Sequence, residues 1–166
     1  MQIVLIAAVS ENNVIAKDGE MPWNLPSDLK YFKNQTWGLP VLMGRKTLDS
    51  FGHGKPLPGR LNIVISHNPD YKPDGVVVVP TFNDAQFIAK EKDYNVIMVI
   101  GGGQIYAQTI DKADKLLVTR VHKTIENGDT FFPEIDPKKW KLTSNEDFPA
   151  DDKNSDPYSF QVWEKK

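Results

Sequence analysis

Continuous apolar runs recur along the first two-thirds of the chain, separated by segments with a helical pattern. Ile3–Val9 and Val96–Ile100 contain almost no polar residue, which is typical of strands covered on both faces of a sheet. Neither run is long enough to span a bilayer, so we expect no membrane association. Four further strands are predicted at Val41–Met43, Leu61–Ser66, Val76–Val79 and Leu116–Val121.

Helical patterns lie between these strands. Pro26 is suited to the first position of a helix, because that position needs no N–H donor. Leu25, Leu29, Phe32 and Thr36 then recur on one face, which predicts an amphipathic helix. Further helices are predicted from Gly44 to about Phe51, near Asn83–Lys92, and from Gln104 to about Ile110.

The segment Ser10–Leu25 has no periodicity, and Asn12-Asn13, Asp18-Gly19 and Pro22 would interrupt any regular element. The sequence therefore predicts a long loop without secondary structure. Loops of this length inside a compact domain are more often functional than not.

The last third of the chain changes character. Asn127-Gly128, Asp136-Pro137 and Asp156-Pro157 are turn signals, and Tyr158–Val162 alternates apolar with polar residues. This pattern predicts antiparallel strands. The 166 residues are thus expected to form a single three-layer α/β domain, with a mixed, mostly parallel central sheet and antiparallel C-terminal strands.

Composition excludes several classes of function. The chain has no cysteine, and its histidines (His53, His67 and His122) are widely spaced, so neither a disulfide nor a metal site is expected. A net charge of −2 with dispersed lysines and arginines argues against nucleic-acid binding. No cation precedes the first apolar run, so it is not expected to be a signal peptide. We expect a cytoplasmic protein, and with no sign of oligomerisation, a monomer.

Two strand-to-helix junctions contain glycine, at Met43–Thr47 and Ile100–Gln104. Free N–H groups at a helix start attract anions, and glycine lets a phosphate approach the backbone. Two such junctions in one sheet would suit the phosphates of a dinucleotide. The alternative is that the glycines only permit tight turns, since Tyr106 replaces the third glycine of the dinucleotide fingerprint.

Cations accompany the first junction. Arg45 and Lys46 lie where the helix dipole disfavours positive charge, which indicates an anion nearby. Ser66 and His67 follow the neighbouring strand. Together these side chains would suit a phosphate monoester such as the 2′-phosphate of NADPH; the alternative is that they are simply solvated at the surface.

Asp28 borders the apolar face of the first helix. An aspartate in the first turn is ordinarily favoured by the helix dipole alone. The other interpretation is a carboxylate held at the edge of an apolar cleft to bind a cationic or amidine-like group. In that case its titration would respond to the ligand.

These residues belong to motifs that resemble the dihydrofolate reductases, in order across residues 5–133. An aspartate at position 28, rather than a glutamate, is similar to the bacterial branch of that family. The matching motifs are Ile6–Ala8, Met21–Pro26 with Asp28-Leu29, Met43–Thr47, Pro56–Arg60, Val99–Gly103 with Tyr106, and Gly128–Thr130 with Pro133.

The resemblance implies reduction of 7,8-dihydrofolate to tetrahydrofolate, with a hydride passing from NADPH to pterin C6 and a proton to N5. Antifolates would then act as inhibitors. Asp28 would bind the pterin, and Thr119 would support its carboxylate, although Thr119 also suits a plain core position of a strand. The proton would come from a water near Met21, and Met21 and Trp23 would belong to the long loop that closes over the nicotinamide and the pterin.

The resemblance also implies the binding residues. Arg60 would bind the α-carboxylate of the glutamate tail, unless it is only a surface arginine after a Pro-Gly turn. The remaining substrate contacts would come from Ile6, Asp28, Leu29, Phe32, Lys33, Phe51, Leu57, Ile100, Tyr106 and Thr119. The cofactor contacts would come from Ala8, Ile15, Gly19, Met21, Gly44, Arg45, Lys46, Thr47, Ser66, His67, Gly101, Gly102, Gly103, Gln104, Ile105 and Tyr106.

One departure from the family pattern matters for the cofactor. Gln104 stands where many relatives have an arginine, so Arg45, Lys46 and His67 would carry more of the preference for NADPH. Two alternatives remain open: a pyrimidine reductase of the same fold, and a non-catalytic nucleotide-binding module. The Trp23–Asp28 segment argues against both.

Overall fold

An eight-stranded sheet forms the centre of the fold in a computed structural model that describes residues 1–166. Its strands are Gln2–Ser10 (β1), Pro40–Gly44 (β3), Leu61–Ile65 (β4), Val77–Val79 (β5), Val96–Gly101 (β6), Lys115–Val121 (β7), Trp140–Phe148 (β9) and Tyr158–Lys165 (β10). A second sheet pairs Val14–Ala16 (β2) with Thr130–Phe131 (β8). The helices are Pro26–Thr36 (α1), Arg45–Phe51 (α2), Phe82–Glu91 (α3) and Gly103–Thr109 (α4), and a 3₁₀ turn covers Ile110–Lys112.

The strand order in the large sheet is β5-β4-β3-β6-β1-β7-β10-β9. All neighbours from β5 to β7 are parallel, whereas β10 runs antiparallel to both β7 and β9. This arrangement confirms the predicted mixed, mostly parallel sheet with antiparallel C-terminal strands. None of the helices combines the length and apolar character needed to cross a membrane.

The apolar core lies on both faces of the sheet, and β1 shows how the sequence produces it. Successive residues of a strand point to opposite faces. Ile3 and Leu5 therefore pack into one cluster, while Val4 and Ile6 pack into the other. A central strand covered on both sides needs apolar residues at every position, which explains the uninterrupted run.

The prediction of a structureless loop over Ser10–Leu25 is wrong in part. Within it, β2 pairs with β8, and Lys17 and Glu20 form an isolated bridge. Val14 is fully buried, and a Cβ atom at Gly128 would lie only 2.5 Å from its side chain. The partner strand lies more than a hundred residues away in the sequence, so local periodicity does not reveal the pairing.

Helix α1 begins at Pro26, as predicted, but its apolar face is not plain core. Within the helix only Asp28 and Thr36 are buried, whereas the side chain of Leu29 is 43% exposed. Phe32 is half-buried and meets the ring of Phe51 edge-on, with 5.2 Å between ring centroids. This face of α1 therefore borders an open space rather than the core.

Candidate active site

A cleft of about 710 Å³ opens where the parallel strands β3, β4 and β6 end. Gly44, Ile65 and Ile100-Gly101 line it from the strand ends, and Ile6–Ala8 line it from the middle of β1. Ligands bind at this edge in open α/β sheets. The volume also lies within the range of small-molecule sites.

Most of the residues predicted to bind substrate or cofactor line this one cleft, although their individual roles stay predictions. They are Ile6, Ala8, Ile15, Gly19, Met21, Asp28, Leu29, Phe32, Gly44, Arg45, Lys46, Thr47, Phe51, His67, Ile100, Gly101, Gly102, Gly103, Gln104, Ile105 and Tyr106.

Asp28 is the only charged residue buried in the structure. The hydroxyl of Thr119 donates to its Oδ1 at 2.6 Å, so Thr119 is both a buried strand residue and a partner of the carboxylate. Burial raises the pKa of Asp28 from 3.8 to about 6, and the hydrogen bond from Thr119 opposes that rise. No protein donor reaches Oδ2, so this oxygen is available to a ligand in the cleft.

Tyr106 has a structural contact beside this carboxylate. Its hydroxyl donates to the backbone oxygen of Ile6 at 2.6 Å, and burial together with Asp28 raises its pKa. Its ring packs under Gly101, where an added Cβ atom would lie 3.3 Å from the hydroxyl oxygen. Tyr106 therefore links α4 to β1 at the floor of the cleft.

The glycine junctions form the other end of the cleft. Gly44 precedes α2 and Gly102 precedes α4, and both positions leave the helix N–H groups without a capping side chain. A Cβ atom at Gly44 would lie 3.3 Å from Ile105, and one at Gly103 would lie 3.1 Å from the backbone oxygen of Phe131. The two helix starts are packed so closely that side chains would crowd them, and both line the cleft.

The glycine junctions, the cations Arg45 and Lys46 beside the first of them, and the buried carboxylate of Asp28 all line one cleft. The motifs that resemble the family had predicted that these residues belong to one site. The sequence model of the family described as "Dihydrofolate reductase" matches residues 2–165. The chain belongs to the dihydrofolate reductase family.

Individual members of the dihydrofolate reductase family are similar over nearly the whole chain. The dihydrofolate reductase type 3 of Salmonella typhimurium is 46% identical, over 93% of this chain and 93% of that protein. The dihydrofolate reductase of Bacillus subtilis (strain 168) is 43% identical, over 99% of this chain and 95% of that protein. These matches confirm the predicted family and favour neither the pyrimidine reductase nor the non-catalytic module.

A solved dihydrofolate reductase shares the fold. The structure of the enzyme from Enterococcus faecalis, complexed with NADP(H) and RAB-propyl, aligns with a TM-score of 0.89 at 35% identity. The alignment covers 99% of this chain and 96% of that one. The predicted fold class is thus confirmed by topology and by comparison.

Six predicted site residues lie outside the lining of the cleft: Trp23, Lys33, Leu57, Arg60, Ser66 and Thr119. Leu57 is buried in the core cluster under α2 and β3, so its side chain packs there rather than facing the open space. The hydroxyl of Ser66 accepts from the N–H of Asn68 at 3.2 Å, which engages it in a local turn. Thr119 lies behind Asp28 and acts on the cleft only through that carboxylate.

Lys33 and Arg60 both approach the ring of Trp37, at 5.4 and 5.5 Å from its centroid. Arg60 also donates from Nε to the backbone oxygen of Pro58 at 2.8 Å and from one terminal nitrogen to Thr36 at 3.2 Å. These contacts fix the guanidinium and leave its remaining N–H groups free. Arg60 is therefore more than a solvated surface arginine.

Trp23 has a buried indole Nε1 atom with no hydrogen-bond partner. Its ring packs against the small cluster of Leu25, Val121 and Tyr158. A buried donor without an acceptor requires an explanation, and a bound water or ligand atom supplies one.

Eight further residues line the cleft but were not among the predicted site residues: Ala7, Ala16, Glu20, Ser50, Ile65, Gln108, Asp129 and Thr130. Most carry no chemical signal in a sequence. Asp129 is different, because it accepts from the N–H of Asp18 at 2.7 Å, and this bond is the main reason why its pKa is lowered. The Gly128–Thr130 motif was the signal that pointed to it.

Proposed function

We propose that this chain, as one domain over residues 1–166, reduces 7,8-dihydrofolate to tetrahydrofolate with NADPH. The observation that carries the proposal is Asp28, a buried carboxylate in a cleft with Leu29, Phe32 and Phe51 along its wall. A buried carboxylate without a cationic partner is costly unless a ligand provides hydrogen-bond donors.

Asp28 orients the substrate. The 2-amino group and the neighbouring ring N–H of a pterin present two parallel donors, which match the two oxygens of a carboxylate. Thr119 already donates to Oδ1 and stabilises the ionised form, so Oδ2 and the second lone pair of Oδ1 receive the ligand. Bound donors favour the carboxylate and lower its pKa from the value of about 6 in the free protein.

Apolar side chains provide the walls for the pterin and benzoyl rings. Leu29 and Phe51 are 43% and 37% exposed, which is unusual for large apolar residues that face a concave surface. An aromatic ligand between them covers this surface. Arg60, fixed by Pro58 and Thr36, then presents its free N–H groups to the carboxylate of the glutamate tail.

The residues at the glycine end of the cleft fit a dinucleotide phosphate. Gly44, Gly102 and Gly103 leave backbone N–H groups uncovered at two helix starts, and Arg45 with His67 lines the same end. These groups would hold the phosphates, and bound NADPH supplies the hydride that pterin C6 accepts.

The proton for N5 comes from a water beside Met21. Tyr106 is the only other buried titratable side chain of the cleft, and its hydroxyl already donates to the backbone oxygen of Ile6, while Met21 lies on the exposed rim. The unpaired Nε1 of Trp23 would donate to an ordered water in that region, and Asp28 would polarise the water next to N5. The segment that carries Gly19, Met21 and Trp23 then excludes bulk water during the reaction.

We further propose that the protein works as a cytoplasmic monomer and that antifolates compete with dihydrofolate at Asp28. A chain without cysteine and with a net charge of −2 suits the cytosol and gives no basic surface for nucleic acid.

The direct test is the loss of NADPH absorbance when purified protein is mixed with dihydrofolate. We expect a steady loss that stops when either reactant is exhausted, with tetrahydrofolate formed in equal amount. Absence of turnover between about pH 5 and pH 8, in a sample that circular dichroism shows to be folded, would refute the proposed reaction.

A further inference from the structure

Tyr71 belongs to the segment between β4 and β5 and to none of the motifs discussed above. The centre of its ring lies 4.3 Å from Cζ of Arg45, so the ring packs against the guanidinium group. This distance is typical of a cation–π contact. Tyr71 itself does not line the cleft, whereas Arg45 does.

The strand pairing explains how the two side chains meet. Gly44, at the end of β3, lies opposite Ile65, at the end of β4. The segment after β4 then turns back, because the N–H of Tyr71 donates to the oxygen of Asn68 at 3.2 Å. The ring is thereby placed next to the first residue of α2.

The guanidinium of Arg45 is otherwise held loosely. Its nearest carboxylate oxygen belongs to Asp49, and it lies 3.8 Å from Nε, beyond hydrogen-bond distance. Both side chains are more than half exposed, and an ion pair of this kind contributes little. A ring against the guanidinium face, in contrast, restricts the arginine while its N–H groups remain free at the edge.

We propose that Tyr71 is a positioning residue that holds Arg45 with its N–H edge free for the 2′-phosphate of NADPH. The inference rests on the proposed function, because it needs a dinucleotide at this end of the cleft. Gln104, at the second glycine junction, brings no charge, so the orientation of Arg45 matters more here. An ordered guanidinium binds a phosphate with less loss of side-chain entropy.

The chain offers a matched control at the same position. The hydroxyl of Tyr71 is buried and has no hydrogen-bond partner, so the ring rather than the hydroxyl makes the useful contact. Tyr71→Phe keeps the ring, whereas Tyr71→Leu removes it. Tyr71→Met, which fills similar space without an aromatic face, serves as a second variant if Tyr71→Leu does not fold.

The experiment measures dissociation constants by calorimetry for two pairs of probes: NADPH with NADH, and adenosine 2′,5′-bisphosphate with 5′-AMP. Tyr71→Leu should raise the dissociation constant of the 2′-phosphorylated member of each pair by roughly two- to fivefold, which corresponds to the energy of an exposed cation–π contact. The dissociation constant of the other member should not change. Tyr71→Phe should bind all four as the parent does. In an Arg45→Ala background the Tyr71→Leu change should have no further effect.

The possible failures are distinguishable. Three outcomes would each overturn the role of Tyr71. Tyr71→Leu could weaken the binding of both members of a pair equally, or Tyr71→Phe could lose as much affinity as Tyr71→Leu. The third is that Tyr71→Leu still lowers the affinity in the Arg45→Ala background. If Arg45→Ala itself leaves the ratio of NADPH to NADH affinity unchanged, the 2′-phosphate assignment also fails. The turnover of dihydrofolate tests the proposed reaction separately from both.

Discussion

Replacing Asp28 by asparagine should stabilise the fold near pH 7 while it removes the activity. Burial raises the pKa of this carboxyl from its usual 3.8 to about 6, so the folded state binds the proton more tightly than the unfolded state does. The contribution of this carboxyl to the unfolding free energy is therefore fully present below pH 3.8 and is lost as pH rises through about 6. Ionisation of Asp28 thus costs stability at neutral pH.

The size follows from the two pKa values. A difference of about 2.2 between them corresponds to a loss of about 3 kcal/mol of unfolding free energy near pH 7 and about 0.6 kcal/mol near pH 4. Asparagine has the shape of the protonated acid, and its amide oxygen can still accept from Thr119. The variant should therefore gain about 3 kcal/mol near pH 7, or roughly 6–12 °C in Tm, and little near pH 4.

Urea unfolding followed by circular dichroism at several pH values between 4 and 7 measures this gain. Asp70→Asn, at an exposed position after β4, provides the control, and its stability difference should not grow with pH in this way. A gain for Asp28→Asn that does not depend on pH, or a variant that is less stable than the parent near pH 7, would refute the argument from burial.

The same variant should lose turnover by roughly 10²–10⁴-fold near pH 7, because the amide neither pairs with two donors nor polarises the proton-donating water. Partial recovery is expected at low pH, where dihydrofolate arrives already protonated. Turnover that is unchanged at neutral pH would remove Asp28 from the mechanism.

Three other changes separate the remaining parts of the account. Thr119→Val removes the donor to Oδ1 of Asp28 and should raise the pKa of that carboxyl further, and an unchanged NMR titration would contradict the role of the hydrogen bond. Arg60→Ala should raise KM for dihydrofolate by roughly tenfold or more but spare a tail-less dihydropterin; similar losses for both substrates would exclude the tail assignment. Ser159→Ala removes the main hydrogen bond that lowers the pKa of Asp147, so it should cost stability near pH 7 and less as pH falls through that pKa; the unfolding free energy at two pH values decides.

The parallel strands were predictable from the sequence because apolar residues dominate each of them, although Asn62 in β4 and Thr119 in β7 are buried polar exceptions. The pairing of β2 with β8 was not, since neither segment has a periodic pattern and their contact depends on the overall topology. Leu29 shows a further limit, because periodicity identifies the apolar face of α1 but not whether protein or a ligand covers it.

The candidate site, like the fold, was predictable from the sequence only in part. Asp28 and the glycine junctions were predictable, because a carboxylate beside an apolar face and glycines at strand ends are unusual locally. Tyr71 was not, because its partner Arg45 comes from another element and no spacing rule links them. The burial of Leu57 in the core could not be predicted either, since an apolar residue near a site suits both the wall of a cleft and the protein core.

The most direct test of the central claim is a ¹³C NMR titration of the Asp28 carboxyl, alone and with NADP⁺ and folate bound. The account predicts a pKa of about 6 in the free protein and a clearly lower value in the complex, because the pterin donors favour the carboxylate. A pKa that stays the same or rises when both ligands bind would show that Asp28 does not hold the heterocycle.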